Sequence, residues 1–383
     1  MFKENLMKKR FVTSFWNYDV ARRRSAVNNP EEWAKLGINL PMSCSCATDE
    51  ERELVLKSLD EAQKFGQKVI VCDESTLWYK LPEIGEEEYR KRVKHAAGIF
   101  ASHPAFMAFH VGDEPADEHW PYMLKALEIT SEYARPFLNF LPFFEEDFVK
   151  NLKTDHDGYA ELLVETIKNT KLEQLSYDCY FQMFENNREE GIEYYFYNLN
   201  RFRECALKAG VDFWTTLLSV GHMVYSVPTE DEIRWQISTA AAHGAKGIFW
   251  FYIYGRLLES NYRQSPFDQY DEKTPTYYAV KHQMRLFNDH FADRLANSTL
   301  SEVFHVGKTY GGTKFYVPDC IKGLFFEREF KCPMIFSRFF DDDGKEFLLL
   351  VNNSQTKSER IKGEYKGKNF FLSFAPGQML IIE

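Results

Sequence analysis

Five acidic residues stand where apolar, strand-like runs of this chain come to an end. Asp113 and Glu114 close the run Ala105 to Val111, with Gly112 before them and Pro115 after. Asp73 and Glu74 close Lys68 to Cys72, and Asp178 lies within Leu175 to Tyr180. Two carboxyl groups placed across an acetal bond can cleave it, one protonating the leaving oxygen and the other acting as nucleophile or base. The acid must keep its proton near neutral pH, and crowding by other acids and apolar walls favours that. Glu114 is the strongest candidate. Gly112 permits close approach of other groups, Pro115 fixes the exit turn, and Asp113 crowds the carboxyl. The competing role for Asp113 or Glu114 is to cap the helix that follows. Asp178, between Tyr177 and Tyr180, needs a partner or a function if buried. It is the first choice for the second carboxylate, against a structural hydrogen bond or ion pair. Glu74 ranks below it and Glu259 lower still.

Polar and aromatic residues at or just beyond the same strand ends could bind a substrate. Trp16, Asn17, Trp78, Asn139, Tyr180, Trp250 and Tyr252 form this set, and Glu74 and Asp113 complete it. For each aromatic ring, ordinary core packing is an equal alternative. His110 shares strand parity with Glu114, so both should point the same way; a structural histidine is the commoner case. His110, Asp178 and Glu74 could converge on a metal, but the sequence gives no sign that they do, so neither metal nor cofactor is expected. A phosphate-binding P-loop, a GxSxG elbow and an HExxH helix are absent from the sequence.

The elements that must position these acids alternate in type. Strand-like runs occur at Phe11 to Trp16, Ile38 to Met42, Lys68 to Cys72, Ala105 to Val111, Pro136 to Leu141, Leu175 to Tyr180, Asp212 to Leu218 and Gly247 to Tyr252. Amphipathic helical runs separate them, several closed by a glycine such as Gly66, Gly210 or Gly244. A last helix is expected over Thr276 to Leu295. Eight such pairs predict an α/β fold, a (β/α)8 TIM barrel over residues 1–298. An open doubly wound sheet is the alternative, but the Gly-rich loop it usually carries after its first strand is missing. In a barrel, the C-terminal ends of the strands carry the chemistry. Beyond Asn297 short strand-like runs follow one another without helical period. They predict a small C-terminal antiparallel β-sandwich domain over 299–383, with Asp341-Asp342-Asp343-Gly344 as a turn rather than a calcium loop.

Composition narrows the partners. The net charge is −10 and the aromatic share 16%. An acidic chain without basic patches excludes a nucleic-acid partner and an anionic membrane surface. Aromatic excess fits either a sugar cleft or a ring-rich core. No run is long enough to span a bilayer, and the N-terminal ten residues are basic without an apolar stretch, so no secretory signal is expected. Seven cysteines without metal spacing read as reduced thiols of a cytoplasmic protein.

The segment His110-Val111-Gly112-Asp113-Glu114-Pro115 resembles the fourth-strand motif of the retaining (β/α)8 glycoside hydrolase clan, where an Asn-Glu-Pro-like turn presents the acid/base glutamate. The chain looks closer to poorly characterised bacterial β-galactosidase-like barrels. Those carry a Gly-Asp-Glu-Pro turn, a Leu-Ser-Tyr-Asp-x-Tyr sixth strand, matched by Leu175 to Asp178 with Tyr180, and segments matched by Ile233 to Gln236 and Gly244 to Ile248. The resemblance implies a glycosidase acting on a carbohydrate substrate, with Glu114 as acid. It departs at the seventh strand, where the clan keeps its nucleophile glutamate and this chain has Thr215-Thr216-Leu217-Leu218-Ser219. Asp178 is then expected to supply the second carboxylate. The alternatives are a non-catalytic carbohydrate-binding barrel and a metal-dependent sugar isomerase or lyase.

Overall fold

A computed structural model describes residues 9–19, 21, 29–143, 154–255, 261–315, 319–326 and 332–383. Eight parallel strands form one sheet: β1 (Val12–Phe15), β2 (Met42–Cys46), β3 (Val69–Asp73), β4 (Phe106–Asp113), β5 (Pro136–Phe140), β6 (Gln174–Asp178), β7 (Asp212–Leu218) and β8 (Gly247–Phe251). Their order, β1-β8-β7-β6-β5-β4-β3-β2, is that of a barrel. Between β1 and β2 the seam is closed by single bonds rather than a ladder. The Leu40 and Asn39 amides donate to the Thr13 carbonyl, and the Ala21 amide to that of Ser45. Helices α1 (Pro30–Lys35), α2 (Asp49–Lys64), α3 (Glu86–Phe100), α4 (Trp120–Tyr133), α5 (His156–Asn169), α6 (Arg188–Ala209), α7 (Glu230–Ala242) and α8 (Pro275–Phe287) alternate with the strands.

Local sequence explains these bounds. Thr48 with Glu51, and Thr229 with Glu232, make reciprocal capping boxes at the starts of α2 and α7. Gly210, at φ 76°, ends α6 in the left-handed conformation that a side chain would resist. Two expectations shift. The run Ile38 to Pro41 is a buried approach to β2, because the Gly37 turn and Pro41, which lacks an N–H, delay the ladder to Met42. The last helix passes through a π turn at Asn288–Ala292 before its final turn, Asp293–Ala296.

The barrel interior is filled with rings. Phe137 stacks on Phe249 at 5.3 Å and on Trp214 at 6.1 Å, while Trp16 meets Phe249 and His110 at 6.0 and 5.6 Å. A side chain at Gly247 would collide with the Trp214 ring. Much of the aromatic excess is therefore core.

The antiparallel part begins with β9 (Ser298–Val306), a strand the sequence pattern did not reveal. It continues through β10 (Lys314–Phe315), β11 (Ile321–Phe326), β12 (Met334–Asp341), β13 (Glu346–Asn352), β14 (Glu359–Tyr365), β15 (Lys368–Phe374) and β16 (Met379–Ile382). A five-stranded sheet, β10-β9-β12-β13-β16, faces a three-stranded one, β11-β14-β15. Met334, Phe336, Leu348 and Leu350 of the first pack on Ile361, Tyr365 and Phe374 of the second. The other face of the larger sheet joins the barrel core through Ile335, Phe339, Leu349 and Val351. The Trp235 indole donates to Asn353 Oδ1 at 2.8 Å, and Ser337 Oγ to the Ala242 carbonyl at 2.7 Å. Asp341 to Gly344 form the expected turn, in which Asp341 Oδ1 accepts from the amides of Asp343 and Lys345. Among the described residues no helix is long and apolar enough to cross a membrane.

Candidate active site

Three carboxyl groups converge at the C-terminal ends of β4 and β6. Gly112, at φ 145°, lets the end of β4 lie against the Trp78 ring, into which any Cβ would be driven. Glu114 follows at φ 41°, an unusual left-handed conformation for a residue with a side chain. Its amide donates to the Asn139 carbonyl at 3.1 Å. This kink ends the strand alternation. His110 makes no contact with the acids and has the structural role that is the commoner case for such a histidine. It stays in the core between Trp16 and Phe137, its pKa pushed down to about 4 by burial.

Asn139, fully buried on β5, ties the acids together. Its Nδ2 donates to Asp113 Oδ1 at 3.0 Å and to Asp178 Oδ1 at 2.9 Å, and its Oδ1 accepts from Ser176 Oγ at 2.8 Å. Asp178 also accepts from the Tyr180 hydroxyl and is in hydrogen-bond contact with the Glu114 carboxyl. Neither Asp113 nor Glu114 caps α4, which starts after His119.

This crowding sets the proton inventory. The Glu114 pKa is raised, chiefly by the charge of Asp178, then by burial and by Asp113. Asp113 and Asp178 are raised too, by burial first, and the Asn139 amide pulls each back towards the ionised form. Three acids so close cannot all ionise at neutral pH, and the Glu114–Asp178 pair titrates as a unit. Of the two, Glu114 holds the proton, because the hydrogen bonds to Asp178 favour its anion. Glu114 is open to solvent by accessible area, yet its carboxyl is crowded by these neighbours. It is reachable by a ligand without having the hydration of a surface acid.

Aromatic rings wall the mouth. Phe251 is their hub, with its centroid 5.0 Å from Tyr180, 5.4 Å from His222, 5.5 Å from Tyr252, 6.0 Å from Tyr18 and 6.3 Å from Tyr262. Tyr18 stacks on Trp16 and remains 41% exposed, so it offers a ring to the cleft. Its pKa is raised well above the usual value, by burial first and then by the charges of Asp113, Asp178 and Glu114.

The sequence candidates separate into groups. Glu114, Asp113, Asp178, Asn139 and Tyr180 come together, with Tyr252 beside them in the wall. Trp16 lies beneath Tyr18 and donates to Thr216 Oγ1 at 3.2 Å. Asn17 is used structurally, donating to the Met42 carbonyl and accepting from the Asp19 amide. Trp250 is fully buried on the face of β8 opposite Phe249 and Phe251. Glu74 sits exposed on the turn after β3, and its neighbour Asp73 is consumed by a bidentate pair with Arg52 at 2.6 and 3.0 Å. Glu259 lies outside the described residues. The end of β7 carries Leu218 and Ser219, whose Oγ donates to the Tyr252 carbonyl at 3.2 Å, and so offers no acid. Tyr18, His222, Phe251 and Tyr262 were not among the candidates; the alternation that puts Phe249 inside the barrel also puts Phe251 at the mouth and could have flagged it.

No family model and no curated protein sequence matches the chain. Its fold is similar to solved glycoside hydrolase structures. The cold-adapted β-galactosidase of Rahnella sp. R3 aligns with a TM-score of 0.56 and 11% identity, over 78% of this chain and 58% of that one. A GH5_18 protein of Bifidobacterium longum subsp. infantis gives 0.55 and 13%, over 74% and 80%. The β-galactosidase of the psychrophilic Marinomonas ef1 gives 0.54 and 13%, over 74% of this chain and 61% of its own length. The chain thus spans less than two thirds of either β-galactosidase, and what it shares with all three is the barrel fold.

Proposed function

We propose that the protein is a glycoside hydrolase acting on a short oligosaccharide or glycoside, with Glu114 as general acid and Asp178 as its ionised partner. The observation that carries this reading is the Glu114–Asp178 contact, organised by Asn139 on the catalytic face of the barrel. Glu114 passes its proton to the glycosidic oxygen as the C1–O bond breaks. Asp178 either attacks C1 or takes a proton from the water that does. In the first case Glu114, now a carboxylate, deprotonates the water that releases the sugar. Carboxyl separations of about 5–5.5 Å accompany retention and about 6.5–9.5 Å inversion. The expectation of retention rests on the resemblance alone. For a substrate to come between them, Glu114 must turn away, since Asp178 is held by Asn139 and Tyr180.

Hydrolysis of a panel of aryl glycosides and oligosaccharides, galactosides and mannosides included, tests the reading. Turnover of oligosaccharides by the wild type that Glu114→Gln loses supports it; equal turnover of oligosaccharides removes Glu114 from the mechanism. A sugar-binding barrel without turnover is the second reading, favoured by the acid-free end of β7. Saturable sugar binding by both proteins, with hydrolysis by neither, would establish it.

A further inference from the structure

The outer face of the three-stranded sheet departs from the usual pattern of solvent-facing strands. A register shift in β11 between Lys322 and Phe325, at Gly323 with φ 58°, turns Phe325 outward. Phe325 then pairs across with Lys362 of β14, and Lys362 with Phe371 of β15. The three residues make one row across the sheet. Phe325 is 51% exposed and Phe371 63%, and Lys362 Nζ lies 4.7 Å from the Phe325 ring centroid. Two strand spacings separate the rings by about 9.5 Å, roughly the length of two sugar rings. The flanking positions Lys322 and Arg360 are exposed and basic, and among the described residues Glu364, which pairs across from Lys322, is the acid of these outward positions. A local excess of cations on a chain of net charge −10 selects for an anionic ligand.

The face also has a route to the barrel. Gln355, just before β14, donates to the Gln182 carbonyl at 3.4 Å, two residues beyond Tyr180. The connection leading into β14 therefore touches the rim that carries the aromatic wall.

We propose that this row is a second saccharide-binding site and that it takes an extended polysaccharide chain bearing carboxylate or sulfate groups. Phe325 and Phe371 stack on the C–H faces of alternate sugars, and Lys362, with Lys322 on the same face, meets the anionic groups. Only the choice of a saccharide ligand rests on the reading of the barrel, and binding is measured here without turnover.

The test is affinity electrophoresis of the full chain in gels containing polygalacturonate, chondroitin sulfate or a neutral galactan, with anionic phospholipid vesicles assayed beside them. The site predicts retardation in one of the acidic polysaccharides, weakened by added salt and weakened at least tenfold by Phe371→Ser and by Lys362→Glu. Both variants should keep the wild-type thermal midpoint and turnover of short aryl glycosides. No retardation by either acidic polysaccharide, retardation that both variants retain, equal retardation by galactan, or preference for vesicles would each overturn it. Failure here with intact glycoside turnover would leave the barrel reading standing; the converse would remove the barrel reading alone.

Discussion

Replacing Asn139 with leucine takes away the amide that holds two of the three carboxyls and leaves every acid in place. Its Nδ2 bonds to Asp113 and Asp178, at 3.0 and 2.9 Å, favour the ionised form of each. A hydrogen bond to a charged group contributes about 1.5–3 kcal/mol, and about 1.4 kcal/mol corresponds to one pKa unit. Losing it should therefore raise the Asp178 pKa by about 1 to 2 units. The proposed mechanism needs Asp178 ionised and Glu114 protonated. A higher Asp178 pKa moves the acidic limb of the pH–rate profile upward by the same amount and narrows the bell from its acid side. On that limb kcat/KM falls by about 10- to 100-fold, with a smaller loss at higher pH. The assay is kcat/KM against pH on an aryl glycoside that the wild type hydrolyses. Circular dichroism must accompany it, because Asn139 is fully buried and Ser176 Oγ loses its acceptor. An acidic limb that stays at its wild-type position in a folded variant would refute the role given to Asp178.

Other consequences follow from the same structure. Gly112→Ala puts a Cβ into the Trp78 ring at a backbone angle that side chains resist; a loss of about 2 kcal/mol or more in urea unfolding is expected, together with loss of activity, and wild-type stability would show that β4 can bend without a glycine. Truncation before Ser298 uncovers Trp235 and the α7 surface that Ile335, Phe339, Leu349 and Val351 cover, so the isolated barrel should aggregate; a soluble, cooperatively folding 1–297 fragment would contradict this. His243 and His305, buried with their Nε2 atoms 3.3 Å apart, are held neutral by burial, His243 down to about 3. The unfolded chain takes up these protons first, near pH 6.5. Their contribution is therefore complete above about pH 6.5 and is lost as pH falls towards 3, on the order of a few kcal/mol for His243. The thermal midpoint should fall through that window with a shallower slope in His243→Asn, and equal slopes would argue against the pair.

The barrel was legible because each unit announces itself locally. Capping boxes at Thr48 and Thr229 and the glycine at Gly210 mark helix ends that tertiary packing has no need to override. The acids were legible for a related reason: a charged residue closing an apolar strand has few places to go except the barrel rim. What stayed hidden depends on contacts distant in sequence. β2 was misplaced because Leu40 and Asn39 make only single bonds to Thr13 of β1, and the ladder to β3 begins at Met42. β9 was missed although it pairs with β12 along most of its length. Asn139 could be placed at a strand end, but its bond to Asp178 on β6 could not. Tyr18, His222 and Tyr262 sit on loops whose paths are set by remote bonds, such as the one from the Glu185 amide to the Val224 carbonyl. Trp250 was the avoidable miss, since alternation along β8 alone separates it from Phe249 and Phe251.

The most direct measurement of the central claim compares leaving groups in wild type and Glu114→Gln. A general acid matters for a poor leaving group and hardly at all for dinitrophenolate, which departs without a proton. The account predicts that Glu114→Gln loses about 10²- to 10⁴-fold in kcat/KM for alkyl glycosides or oligosaccharides and keeps most of its kcat/KM, which reports the first bond-breaking step, for the matching dinitrophenyl glycoside. Equal losses on both substrates, or none on either, would contradict Glu114 as the proton donor.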